Sequence, residues 1–279
     1  MSQPPKHPKK NTTGVPQSKR NLEPSGLDFP VVGIGASAGG IPALLRFFEN
    51  MPHDNGMAFV IILHLSATHE SDAAGILQRV TKMPVVQVTQ PVPIHKNQVY
   101  VISPAQFLSM DDDHLCVSPR DSSAKIPVAI DLFFRDLAEV HKTRAFCLIL
   151  SGTGADGAAG VARIKEQGGV SIAQSPDDAE YADMPLRMVD LVLPVVEIPH
   201  KLIELWRNAR NIHMPTLEHS ALQARRQANE EEAKAAEDAL RDILGQLLTR
   251  TGHNFRHYKR ATVLRRIERR MQVRAQSDL

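Results

Sequence analysis

Ser37 stands in Gly35-Ala36-Ser37-Ala38-Gly39, a match to G-x-S-x-G at the point where Val31-Val32-Gly33-Ile34 gives way to the helical apolar pattern from Ile41 to Leu45. Glycines beside a sharp strand-to-helix turn keep neighbouring side chains clear and leave a serine hydroxyl exposed as a nucleophile. The same run, through Gly33, Gly35 and Gly39, also resembles a glycine-rich dinucleotide loop that holds phosphates on a helix N-terminus. His64 directly follows a second apolar run, Phe59-Val60-Ile61-Ile62-Leu63. Asp156 follows a later one through Ser151-Gly152-Thr153-Gly154-Ala155. Taken singly, each has a bland explanation: a packed or exposed histidine, and an aspartate that forms a turn or caps a helix. Taken together, a serine at an elbow, a histidine and an aspartate supply a nucleophile, a general base and an orienting carboxylate.

These residue types answer a specific chemical need. A serine hydroxyl attacks a carbonyl at neutral pH only when a base takes its proton as the bond forms, and imidazole has the pKa to take and return it. His64 would do this, and Asp156 would fix the imidazole tautomer and stabilise the transient imidazolium. The oxyanion that develops needs preorganised donors; the backbone N–H groups of Ala38, at the helix N-terminus, and of Thr153, in the glycine-rich loop, are the candidates. The dinucleotide reading weakens because a ribose-binding acid is expected at the end of the second strand, where this chain has His64. The order serine, histidine, aspartate also departs from the serine, acid, histidine order of α/β-hydrolases.

Such side chains meet only if strands bring them to one edge. From Phe29 onward, short apolar runs alternate with helical patterns, the signature of a parallel sheet covered on both faces. Strands are expected at Val31 to Gly35, Ala58 to Leu63, Val85 to Val88, Ala145 to Leu150, Gly169 to Ala173 and Leu191 to Val192. Helices are expected at Ile41 to Asn50, Ala73 to Lys82, Ile130 to His141, Gly157 to Gln167 and Pro199 to Asn211. From Val99 to Val117 the pattern reads as an antiparallel hairpin turning at Asp111 to Asp113. The expected fold class is α/β, a doubly wound, mostly parallel sheet with an antiparallel hairpin, followed by a helical C-terminal extension. In such sheets catalytic groups gather at the carboxyl ends of the strands.

At 279 residues, the chain has room for one substantial domain and a smaller appendage, and a net charge of +2 steers nothing by itself. Basic residues and prolines crowd residues 1–28, which read as a disordered tail, and arginines crowd the last 25 or so. Residues 213–250 are rich in Ala, Glu, Gln, Lys and Arg and read as a helical linker, a solvated helix in preference to a dimerising coiled coil because no heptad is sustained. Cys147, inside an apolar run, is expected as a buried free thiol, with no disulfide or metal pair to Cys116. Neither a membrane span nor the apolar segment of a signal peptide is apparent, so a cytoplasmic protein without membrane insertion is expected. Phe255 and Tyr258 among the basic residues are too few to stack on single strands, and nucleic acid is not an expected partner.

The blocks GIGASAGG, IILHLS, ILSGTGADGAAG and AQSPDDAEYADMP, in that order, resemble the catalytic domain of CheB, the chemotaxis protein-glutamate methylesterase, over residues 29–212. The resemblance implies Ser37 as nucleophile, His64 as base and Asp156 as the third triad member. Ala38, where threonine is common, and Thr153, where methionine is, would form the oxyanion hole through their backbones. It implies hydrolysis of γ-glutamyl methyl esters on the cytoplasmic helices of methylated chemoreceptors, with methanol released, and deamidation of glutamines at the same sites in some members. No metal and no organic cofactor are implied. Gly252-His253-Asn254-Phe255, Tyr258-Lys259 and Arg265-Arg266-Ile267-Glu268-Arg269-Arg270-Met271 resemble the start of the N-terminal helical domain of CheR, the receptor methyltransferase, so 251–279 reads as a truncated beginning of that domain. The family's usual receiver domain does not precede Phe29, and receiver phosphorylation is not expected to switch this chain. A runner-up reading keeps the fold as a receptor-docking scaffold with weak activity; a nucleotide-dependent oxidoreductase stands third.

Overall fold

The computed structural model describes residues 26–63, 72–103, 106–111, 113–119, 129–183, 189–211, 226–255 and 258–276. Residues 1–25 of the expected tail and residues 213–225 of the linker lie outside the described residues. In chain order the strands are β1 (Val31–Ala36), β2 (Ala58–Leu63), β3 (Val85–Val88), β4 (Val92–Pro93), β5 (Gln98–Ile102), β6 (Gln106–Asp111), β7 (His114–Pro119), β8 (Ala145–Ile149), β9 (Val170–Gln174) and β10 (Leu191–Leu193). The helices are α1 (Gly40–Glu49), α2 (Ala73–Gln78), α3 (Ala129–His141), α4 (Ala158–Glu166), α5 (Ile198–Asn211), α6 (Arg226–Thr251) and α7 (Arg260–Arg274).

Seven strands form a parallel sheet in the order β10-β9-β8-β1-β2-β5-β3, and β4-β7-β6 form a small antiparallel sheet. The chain leaves β1 toward β2 on one side and returns at β8 on the other, so the topological switch lies between β1 and β8. Crevices open there in doubly wound sheets. The central strands β1, β2 and β8 are buried along their whole length, as uninterrupted apolar runs require when helices cover both faces. Val32, Ile34, Phe59, Ile61 and Phe146 pack on one face with Leu44, Phe47 and Phe48 of α1 and with Leu202 and Leu205 of α5. Val31, Val60, Ile62, Cys147 and Ile149 face Phe133, Phe134 and Leu137 of α3 and Val161 of α4. Cys147 is a buried free thiol, as its apolar run suggested, and burial pushes its pKa well above the ordinary thiol range.

Two elements depart from the sequence reading. Val99-Tyr100-Val101-Ile102 belongs to β5, inside the parallel sheet between β2 and β3, and the antiparallel hairpin begins only at β6. The distinction is one of faces: all four of those residues are buried, whereas along β6 Leu108 and Met110 are buried and Phe107 and Ser109 only partly so. Second, α2 stops at Gln78 instead of reaching Lys82. The Gln78 amide donates to the carbonyls of Thr81 and Met83, each at 3.1 Å, and its oxygen accepts from Val85 N–H at 2.9 Å, so the side chain carries the turn into β3.

The arginines of α7 are not all solvated. Arg265 donates to Gln167 at 2.8 Å and Arg269 to Asp190 at 2.9 Å, and the buried Gln272 amide donates to the Leu205 carbonyl at 3.3 Å. These residues lie at i, i+4 and i+7 on one side of the helix, which seats α7 against α4 and α5. Among the described residues, no helix is long and apolar enough to cross a membrane.

His141 ends α3 at 2% exposure, with no hydrogen-bond partner for either ring nitrogen among the described residues. Burial, reinforced by the Arg144 charge, pulls its pKa from 6.5 to about 3. The folded chain keeps the ring neutral while the unfolded chain protonates below 6.5, so stability is whole above pH 6.5 and is lost as pH falls toward 3. Urea unfolding should show a loss of about 2 kcal/mol from this group between about pH 7.5 and about pH 5. His141→Leu should flatten that acid limb; an unchanged slope would contradict the assignment.

Candidate active site

Two glycines of β1 serve packing. A Cβ on Gly33 would come within 2.9 Å of Leu137 and Phe134, and one on Gly35 within 2.7 Å of Ile130, so their absence lets α3 press directly on the strand. Gly33 and Gly35 therefore lie inside a strand beneath a helix, which removes them from the phosphate-loop reading. Gly39 has the turn role: its φ is +70°, and a Cβ there would stand 2.6 Å from Ser151 Oγ.

Ser37 follows β1 at the switch edge and is half-buried; among the described residues its hydroxyl has no hydrogen-bond partner. Its backbone is fixed on both sides. Ser37 N–H donates to the Ser151 carbonyl at 3.1 Å, which extends the β1/β8 pairing past the strands, and its carbonyl accepts from Gly40 N–H at 2.9 Å. Ala38 is half-buried and Thr153 exposed, and neither N–H has a hydrogen-bond partner among the described residues. His64, one residue beyond β2, lies outside the described residues.

Asp156 lies in the loop between β8 and α4, and its carboxylate reaches across to the start of α3. Ile130 N–H donates to Oδ2 at 3.1 Å and Asp131 N–H to Oδ1 at 3.0 Å. The exchange is reciprocal, because Asp131 Oδ1 accepts from Gly160 N–H at 2.7 Å in the first turn of α4. Two orphan N–H groups of α3 are thus satisfied by Asp156 and one of α4 by Asp131, each at the helix end where the dipole favours negative charge. The sequence left Asp156 open as a triad member, a turn former or a helix cap; the helix whose first turn it caps is α3.

Ser151 and Gln174 had no such signal. Ser151 Oγ donates to the Ala38 carbonyl at 2.9 Å across a separation of 113 residues, and Gln174 Oε1 accepts from Ser151 N–H at 2.9 Å. Gln174 in turn donates to Asp178, whose carboxylate also receives Val195 N–H at 2.7 Å and pairs with Arg46 at 2.8 Å. Burial alone would raise the Asp178 pKa, but these hydrogen bonds and the Arg46 charge outweigh it and hold the carboxyl below its ordinary value. An apolar cleft of about 350 Å³, lined by Ile243, Leu247, Phe255, Tyr258, Ile267 and Met271, lies at the α6–α7 pair and includes no residue of the β1/β8 edge.

The family model of CheB methylesterase matches residues 32–203. The chain belongs to the CheB methylesterase family. Over residues 238–279, the C-terminal part of this CheB-family chain matches the all-alpha domain of CheR methyltransferase. Its structure resembles the crystal structure of the Thermotoga maritima CheB methylesterase catalytic domain, with a TM-score of 0.59 at 26% identity, covering 64% of this chain and 100% of that one. An uncharacterized 104.1 kDa protein from the hypE 3′ region of Rhodobacter capsulatus is 34% identical over 222 residues, 74% of this chain but 23% of that protein. A protein-glutamate methylesterase/protein-glutamine glutaminase of Burkholderia thailandensis is 30% identical over 200 residues, 67% of this chain and 56% of the relative. The chain thus spans about a quarter of the first of these relatives and about half of the second.

Proposed function

We propose that this chain is a serine hydrolase that cleaves γ-glutamyl methyl esters on the cytoplasmic helices of methylated chemoreceptors. Ser37 Oγ attacks the ester carbonyl as His64 takes its proton, and Asp156 orients the imidazole. Ala38 and Thr153 donate backbone N–H groups to the oxyanion. Collapse breaks the C–O bond, His64 returns its proton to the leaving methoxide, and methanol departs, leaving a γ-glutamyl ester on Ser37. Water, deprotonated by His64, hydrolyses that ester to a glutamate carboxylate and regenerates Ser37. The same steps on a glutamine side chain release ammonia, in keeping with the methylesterase/glutaminase names of the relatives.

One observation carries this reading: a serine hydroxyl without a hydrogen-bond partner among the described residues at the β1/β8 switch edge, with an anchored carboxylate in the loop that follows β8. The oxidoreductase reading loses ground because Gly33 and Gly35 are committed to the contact with α3. Purified chain incubated with methyl-labelled receptor cytoplasmic segment should release methanol in step with new carboxylate, and glutamine-bearing segment should release ammonia. A folded chain that binds the methylated segment and releases neither would favour the docking-scaffold alternative.

A further inference from the structure

Ser151 is a buried polar side chain at this edge to which the esterase reading gives no task. It is 1% exposed and all its hydrogen-bonding groups are engaged. Its N–H donates to Gln174 Oε1, its carbonyl accepts from Ser37 N–H at 3.1 Å, its hydroxyl donates to the Ala38 carbonyl at 2.9 Å, and Oγ accepts from Tyr181 N–H at 3.0 Å. With its N–H and hydroxyl both spent, Ser151 has no donor left for an oxyanion. What it holds is more specific. The carbonyl fixes the peptide plane between Ala36 and Ser37, and the hydroxyl fixes the plane between Ala38 and Gly39. The plane bracketed by these two carries the Ala38 N–H.

We infer that Ser151 is a positioning residue for the nucleophile turn, an inference that rests on the esterase reading above. It sets the conformation of Ser37-Ala38 before substrate arrives, so that the hydroxyl and the oxyanion donor need no reorganisation at the moment of reaction. The crowding at Gly39 fits this role, since only a residue without Cβ lets Ser151 Oγ approach the turn so closely. Gln174 and Asp178 fix Ser151 in turn, through a network that runs from the buried Ser151 and Gln174 to the partly buried Asp178 and whose members satisfy one another.

The test is the rate at which a fluorophosphonate labels Ser37, resolved into kinact and KI, because this readout does not depend on the receptor substrate. Ser151→Ala should lower kinact about tenfold to a hundredfold with KI within about twofold of the parent. Ser151→Thr, which keeps the hydroxyl, should recover kinact to within about threefold. If Ser151→Ala proves too unstable to purify, Ser151→Cys fills the same space with a weaker donor and should show a smaller loss in kinact. An alanine or cysteine variant labelled at the parent rate, or one whose loss sits in KI, overturns the positioning role while the esterase reading stands. A folded parent that is never labelled at Ser37 overturns both.

Discussion

Ser37→Ala should abolish methanol release, lowering kcat on the order of 10⁴-fold to 10⁶-fold, while the fold survives. The scale follows from what the hydroxyl does in the proposed reaction: without it no acyl intermediate forms, and His64 and the oxyanion donors can only assist direct attack by water. The structural cost should be small, because Ser37 is held by its backbone, through Ser151 and Gly40, and its side chain has no partner among the described residues. Thermal unfolding of the variant should therefore stay close to that of the parent. Methanol release by Ser37→Ala at a rate within tenfold of the parent would remove the serine from the mechanism; binding of methylated receptor segment by the inactive variant would separate docking from chemistry.

What the sequence made legible followed how local the physics is. The strand β2, Ala58–Leu63, could be read outright because an interior parallel strand is a continuous apolar run, and this one ends at His64. The switch edge at Ser37 was legible because the glycine-rich turn has to occur at the end of its strand. β5 was misassigned because Val99 to Ile102 is followed within a few residues by two further strands, and adjacency in sequence suggested pairing. The decisive fact was burial on both faces, which depends on helices elsewhere in the chain. Ser151 and Asp156 illustrate the limit most clearly. The Ala38 carbonyl that the Ser151 hydroxyl satisfies lies 113 residues away, the N–H groups that Asp156 satisfies lie 26 and 25 residues away, and no local motif encodes either. The arginines of α7 fall between these cases: the i, i+4 spacing of Arg265 and Arg269 marks a face, but only the fold supplies Gln167 and Asp190 to meet it.

Asp156→Asn separates the two tasks that the structure and the chemistry give to one carboxylate. As a cap, the carboxylate receives two N–H groups from the first turn of α3; an asparagine keeps one acceptor oxygen and turns an amide nitrogen toward the other donor. That change should cost about 1 kcal/mol of stability, from one weakened hydrogen bond and the lost charge at the helix end. Asp156→Ala leaves both donors unpaired and should cost about 1–3 kcal/mol. As the partner of His64, the carboxylate would select the tautomer that leaves the other ring nitrogen free to accept the serine proton, and an amide selects the wrong one. Asp156→Asn should therefore lower kcat on the order of 10³-fold to 10⁴-fold, far beyond what its unfolded fraction explains. Asp131→Asn provides the contrast, because its side-chain oxygen still accepts from Gly160 N–H and its own N–H still reaches Asp156. It should keep kcat within about threefold of the parent, since none of the hydrogen bonds that anchor Asp156 is removed. Should Asp156→Asn instead retain the parent kcat and lose only stability, the carboxylate would be a helix cap alone, and the base of the proposed reaction would have to find its orienting group elsewhere.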